Sequence, residues 1–193
     1  PVEILAEIAD RAALQNEVYL ELMISPDNNE SVALGKSVPF NPDFDTMRQS
    51  LLAAGMPTVI QHVTANLDRM DHDLQNTLAC STDHAREGCK VHIKYLFRTQ
   101  RKQEPQFIFA QLLAGFEASQ LDQRIVGINL VQAEDAALSM RDYKLQMQMI
   151  GYLHEVYPNV SISLHAGELT DEFVSPEGLS FHIHDAVEVA QAN

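Results

Sequence analysis

The chain has 193 residues, is 46% hydrophobic, and carries a formal net charge of -14 with a pI of about 4.8. That supplies one sizeable core and is short for two domains. So acidic a surface repels phosphate backbones, which argues against long nucleic acids and anionic membranes as partners and leaves a small neutral ligand open. No run of about 18 apolar residues occurs, so no segment reads as a membrane span.

The chain opens at Pro1 inside a helical pattern, with Leu5, Ile8, Ala9 and Ala12 on one stripe. EVYLELMIS (17–25), rich in β-formers and closed by Pro26, reads as a strand, and Glu21 shares a face with Tyr19 and Met23. The polar segment from Pro26 to about Pro42 reads as a long loop, followed by a helical region from about Asp43 to Ala79, broken at Gly55 and Pro57. Cys80 and Cys89 flank STDHAREG. In an oxidising compartment they could close a short loop between a helix and a strand, and in a reducing one they are two free thiols.

KVHIKYLFRT (90–99) reads as the second strand, after which Glu104-Pro105 opens a helix whose Phe109, Leu112, Leu113 and Phe116 share a face. RIVGINLVQ (124–132) is the third strand. Ser139 is placed to cap the next helix with Asp142 three residues on, and Leu145, Met149, Tyr152 and Val156 form its stripe up to Pro158. VSISLHAGE (160–168) is the fourth strand, and Ile183, Ala186, Val187 and Ala190 mark a final helix. Strands alternating with helices imply parallel strands and right-handed crossovers, in an open doubly wound sheet or in a segment of a barrel. Periodicity does not choose between the two.

The sharpest chemical feature is SLHAGE at 163–168, an apolar strand ending in a His, two small residues and a Glu. At the C-terminal end of a barrel strand, His165 presents an imidazole suited to metal ligation, and Glu168 stands where it can exchange protons with a substrate. Ala166 and Gly167 leave room for a flat ligand. The plain alternative is a hydrogen-bonded strand-end His beside an exposed Glu.

His-Ala-Gly-Glu at a strand end resembles the motif of the adenosine deaminase family of metal-dependent hydrolases. VGINLVQAED followed by SMRDYK resembles that family's Gly-apolar-Asp-Leu-Val-Gly-x-Glu-Asp strand and its Ser-Leu-x-Asp-Tyr-Lys helix start, and EVYLELM resembles its second barrel strand. The wording is nearest to growth-factor-type adenosine deaminases and their bacterial relatives, strongly from about Ile125 to Ala190. The resemblance implies an α/β fold in which residues 1–193 form part of a (β/α)8 TIM-type barrel, about strands two to five, truncated at both ends. It implies that His165 binds a catalytic zinc and that Glu168 protonates the purine of an adenosine-like nucleoside, in purine metabolism. Zinc-activated water then attacks the carbon bearing the amino group, and ammonia leaves. Glu168 in that role needs a raised pKa, as in a closed, partly apolar pocket. Gly167 is a further substrate-contact candidate.

Two residues depart from the family pattern. Gln132 stands where the family has a Gly that contacts the purine through its backbone, which puts adenosine itself in doubt as substrate. Asn129 replaces an Asp. The family's His-x-His pair, Gly-His-Gly segment and Asp pair do not occur in the chain, so it supplies one zinc ligand where three or four are needed. His182-x-His184 has the letters of the missing pair but lies in a helical pattern, where i and i+2 point apart. Asp71-His72-Asp73 reads as a solvated helix face, His92 as a structural His on a strand, and Glu134-Asp135 as a pocket rim or a helix cap. His62, His84 and His154 have no partner spacing.

Two rivals stand beside the deaminase reading. One is a sister hydrolase acting on another aminopurine or a nucleotide, and the other is a non-catalytic, nucleoside-binding or growth-factor-like relative. A half-barrel exposes two sheet edges, so self-association or pairing with the rest of a barrel is expected. Export to a periplasmic or extracellular setting is slightly favoured, because relatives of this type are often secreted.

Overall fold

A computed structural model describes residues 2–193. Four parallel strands, β1 (Tyr19–Ile24), β2 (His92–Gln100), β3 (Ile125–Val131) and β4 (Ser161–Ile162), pair in chain order. Among the described residues eight helices precede, join or follow them: α1 (Val2–Leu14), α2 (Glu30–Gly35), α3 (Phe44–Ala54), α4 (Met56–Thr77), α5 (Pro105–Leu121), α6 (Ala137–Val156), α7 (Pro176–Leu179) and α8 (His182–Glu188). A 3-10 turn at Glu87–Lys90 leads into β2.

Side chains alternate across a strand, and here the two faces differ. Leu22, Ile24, Tyr95, Phe97, Ile128, Leu130 and Ile162 join one core with residues of α3 to α6. A Cβ at Gly115 of α5 would meet Ile128 and Phe97 at 2.9 and 3.1 Å, so only Gly lets that helix sit so close to the sheet. The opposite face carries Tyr19, Glu21 and Met23 on β1, in register with His92, Lys94 and Leu96. Arg98 and Asn129 continue that face and pair across β2 and β3. Tyr19 and Met23 stand 47% and 43% exposed, so this side lacks the second helical layer of a doubly wound sheet.

Several expected boundaries and stripes are corrected. The Pro26–Pro42 segment holds a short helix, α2, whose Ser31 backbone N–H and hydroxyl both reach the carboxylate of buried Asp27. Ser139 does not cap α6. The helix starts earlier at Ala137, and the Ser139 hydroxyl is buried and donates to the Ala133 carbonyl at 2.8 Å. In α6 the expected Met149 is buried, with Leu145 and Tyr152 packed against the core, but the buried face also takes in Tyr143, Met147, Ile150 and Leu153, while Val156 is exposed. In α1 the buried residues are Ala6, Ala9 and Ala12 and Ile8 is exposed, because the small side chains let the helix lie against the 3-10 turn and α4.

In α8 Ala186 is buried but Ile183 and Val187 are 63% and 51% exposed. That helix approaches α6 so closely that a Cβ on Gly151 would strike the Val189 carbonyl at 2.2 Å, and only small residues fit the contact. Asp71 is no free solvated charge, since it accepts from Arg124 at 2.8 Å. Cys80 and Cys89 are joined in a disulfide with their Cα atoms 5.6 Å apart, clipping the end of α4 to the turn before β2.

Candidate functional site

The fourth strand stops at Ile162 and not near 168. The Ser163 N–H still reaches the Ile128 carbonyl at 3.1 Å, after which the chain leaves the ladder. It does so because the residues that follow find their partners elsewhere. His165 is half-buried at the C-terminal side of the sheet, and its Nδ1 lies 2.7 Å from Asn129 Oδ1 and 3.2 Å from the Leu130 carbonyl. Both neighbours are acceptors, so Nδ1 carries the proton and Nε2 keeps its lone pair for an electrophile. Asn129 therefore orients the ring, as an Asp would, without adding a charge.

Beyond His165 the backbone is anchored from below. Glu134, in the loop after β3, is 2% exposed. Its Oε1 accepts from the Gly167 N–H at 3.1 Å and its Oε2 from the Glu168 N–H at 2.7 Å. Arg101, just past β2, is fully buried and donates from Nη2 to the His165 carbonyl at 2.6 Å. Its Nη1 lies 4.0 Å from Glu134 Oε1. Burial pushes the Arg101 guanidinium below its ordinary pKa, opposed by the charges of Glu134, Tyr143 and Glu168 around it.

His182 completes this layer, with Nδ1 2.6 Å from Glu134 Oε1. The Tyr143 ring stacks on it at 3.6 Å between centroids, and the Tyr143 hydroxyl donates to the His182 carbonyl at 2.7 Å. Burial holds the Tyr143 phenol well above its usual pKa. His184 points the other way, exposed beside Asp185. The two rings of His182-x-His184 thus part, one into the core and one to solvent.

Gly167 has φ +85, and a Cβ there would meet Ile183 at 2.8 Å, so backbone and neighbour together call for glycine. Gln132 also has a positive φ, 81°, a conformation that favours glycine, and its side-chain carbonyl accepts from the Lys102 N–H at 2.8 Å. The Glu168 side chain is exposed. The closed, partly apolar pocket expected around it is not formed among the described residues.

The remaining ionisable candidates lie elsewhere. His92 is exposed at the start of β2, at the opposite end of the sheet from His165. His62 pairs with Glu30 at 2.6 Å, while His84 is exposed on the loop closed by the disulfide. Glu21 accepts from the Tyr19 hydroxyl at 2.7 Å. Among the described residues no three His, Cys, Asp or Glu side chains are gathered in the geometry of a metal site. An apolar groove of about 370 Å³ between α4 and α5, lined by Met56, Ile60 and Leu121, lies in the helical layer and not at the strand ends.

Sequence reasoning reached His165, Glu168, Gly167 and Gln132 but not Arg101 or the role of His182, and it left Glu134 between two assignments. A signal existed for Glu134, an acid two residues past a strand end. Nothing local marked Arg101 among the basic and polar residues RTQRKQ. No protein-family model matches the chain, and no curated protein matches it at a significant level.

Proposed function

We propose that the chain is the central part of a (β/α)8-barrel hydrolase that deaminates adenosine or a related 6-aminopurine nucleoside, with His165 as a zinc ligand and Glu168 as proton donor. One observation carries the reading. The His165 ring is held through Nδ1 by Asn129, which leaves Nε2 free at the C-terminal end of a parallel strand, and Glu168 follows three residues later on a loop with fixed backbone. One-sided helical cover of the sheet supports the barrel, since the uncovered face suits an interior completed by further strands.

The donor set here fits zinc in kind, a neutral imidazole oriented by an acceptor, but in number it is one of the three or four that zinc takes, so the other ligands come from outside these residues. When bound, zinc supplies Lewis-acid activation of water near neutral pH. The chain's own residues do the rest. Asn129 and the Leu130 carbonyl keep the His165 proton on Nδ1. Glu168 gives its proton to the ring nitrogen beside the amino-bearing carbon, making that carbon electrophilic.

Gln132 favours a second reading within the same chemistry, an aminopurine other than adenosine. Its backbone keeps a glycine-like φ of 81°, yet it adds a side chain at a position read as facing the purine. The disulfide between Cys80 and Cys89 favours an oxidising compartment, hence export, because such bonds persist outside the reducing cytosol. The acidic surface speaks against phosphorylated substrates, nucleic acid and membranes as partners.

The test measures zinc content and loss of substrate absorbance in the intact protein. His165→Ala is expected to lose both. Glu168→Gln is expected to keep its zinc and to turn over about a hundred- to ten-thousand-fold more slowly, as for a lost general acid. Near-normal turnover of Glu168→Gln on every aminopurine nucleoside tried overturns the assignment.

A further inference from the structure

Three buried ionisable side chains from three separate segments meet beneath the His165–Glu168 loop. Arg101 is 0%, His182 1% and Glu134 2% exposed. Burying charges in this way stabilises a fold poorly, and well-packed apolar residues of similar volume often do better. Here the polar ends converge on consecutive backbone groups of one loop. Arg101 takes the His165 carbonyl, and Glu134 takes the N–H groups of Gly167 and of Glu168. Gln146 holds Arg101 in turn by donating to its carbonyl at 3.1 Å, and Tyr143 packs His182 against Glu134. Arg101 Nε and Nη1 and His182 Nε2 are buried and make no hydrogen bond to another protein group among the described residues.

The geometry points to Glu134 as a positioning residue for Glu168, with Arg101 as its counter-charge and His182 as its backing. This rests on the reading of Glu168 as proton donor. Two carboxylate oxygens holding two successive N–H groups fix the peptides on both sides of Gly167, and thereby the point from which the Glu168 side chain reaches the substrate. Arg101 fixes the other end of the same turn at the His165 carbonyl. The arrangement sets the distance between ligand and proton donor, and neither Glu134 nor Arg101 touches the substrate. A misplacement of about 1 Å in such a group costs on the order of a hundredfold in rate.

The test uses the intact protein with Glu134→Gln, which keeps the volume but sets an NH2 against one of the two N–H groups. The expected result is a kcat lowered about a hundredfold with KM and zinc content unchanged, partly rescued by Glu134→Asp. Amide hydrogen exchange at Gly167 and Glu168 should quicken at least about tenfold while β2 and β3 amides keep their protection. Unchanged kcat, or unchanged exchange in the loop, overturns the inference. Loss of zinc together with kcat also overturns it, because Glu134 would then act on the metal site or on the whole fold. Should Glu134→Gln fail to fold, Arg101→Lys, which keeps the charge but loses the planar fork on His165, is read by the same two measurements. A wild-type protein inert on every aminopurine nucleoside overturns the deaminase reading and the catalytic part of this one. The exchange measurement then still decides whether Glu134 holds the loop.

Discussion

The two ends of the sheet are held by opposite means. At the N-terminal ends of the strands most charges stay near water, with Asp122 the buried exception. Arg124, just before β3, reaches Asp122, Asp68 and Asp71 at 2.6 to 2.8 Å. Asp10 of α1 accepts from the Gly88 N–H at 2.8 Å and pairs with Arg86, and a disulfide clips the same turn to α4. At the C-terminal ends the charges of Arg101 and Glu134 are buried, and besides Leu130 and His182 their hydrogen bonds go to one loop. Ion pairs that water can reach add a little stability and bind no one to a geometry. Pairs it cannot reach cost desolvation and are satisfied only in one arrangement, so they fix geometry. One end secures the sheet, and the other secures the loop on which His165 and Glu168 stand.

The sharpest way to break that contrast is at Arg101. Arg101→Ala leaves the Glu134 carboxylate buried without its counter-charge and should cost about 3–5 kcal/mol in denaturant unfolding. The double change Arg101→Met with Glu134→Leu should recover most of that stability while leaving Gly167 and Glu168 amides unprotected to exchange. If the double variant is as unstable as Arg101→Ala, the cluster serves the fold rather than the loop.

At the other end, replacing Cys80 and Cys89 by Ser opens a loop of sequence separation 9. The loss should be about 2.5 kcal/mol, from the freedom returned to the unfolded chain, with no change in exchange at the His165–Glu168 loop. A quickened loop would show that the two ends are coupled and would end the comparison.

The smallest effect is electrostatic. The Arg124 side chain and backbone N–H bonded to Asp122 hold that carboxyl below the usual carboxylate range. A folded pKa below the unfolded one gives stability that is present above the unfolded value, about 4, and is lost as pH falls through the folded one. Asp122→Asn should therefore lower the melting midpoint slightly at neutral pH and flatten its fall below about pH 4, as followed by thermal melts across pH. An unchanged acid slope would assign the acid sensitivity to other carboxylates.

Much of the fold was legible in the chain. Parallel strands in sequential order follow from β-rich runs alternating with helical stripes, and Pro26, Pro57 and Pro105 sit where elements stop or start. Helix edges were less legible. Ser139 has the letters of a cap, yet its hydroxyl went to the Ala133 carbonyl because the helix had already begun two residues earlier. The stripes of α1 and α8 held at Ala9, Ala12, Ala186 and Ala190 and failed at Ile8, Ile183 and Val187, because close helix contacts selected the small residues. Hydrophobicity marks what prefers burial, and the space available decides what is buried.

By itself the sequence determined the parallel α/β order and the position of His165 and Glu168 beyond the fourth strand, since each depends on residues near in the chain. Only the tertiary structure decided that Asn129 orients His165 and that Arg101, Glu134 and His182 form one layer beneath the loop. Those partners come from different elements far apart in sequence, and no local pattern records them. What brings them together is the packing of β2, β3, α6 and α8 around a space where buried charges must find one another, because a buried charge left unpaired is costly.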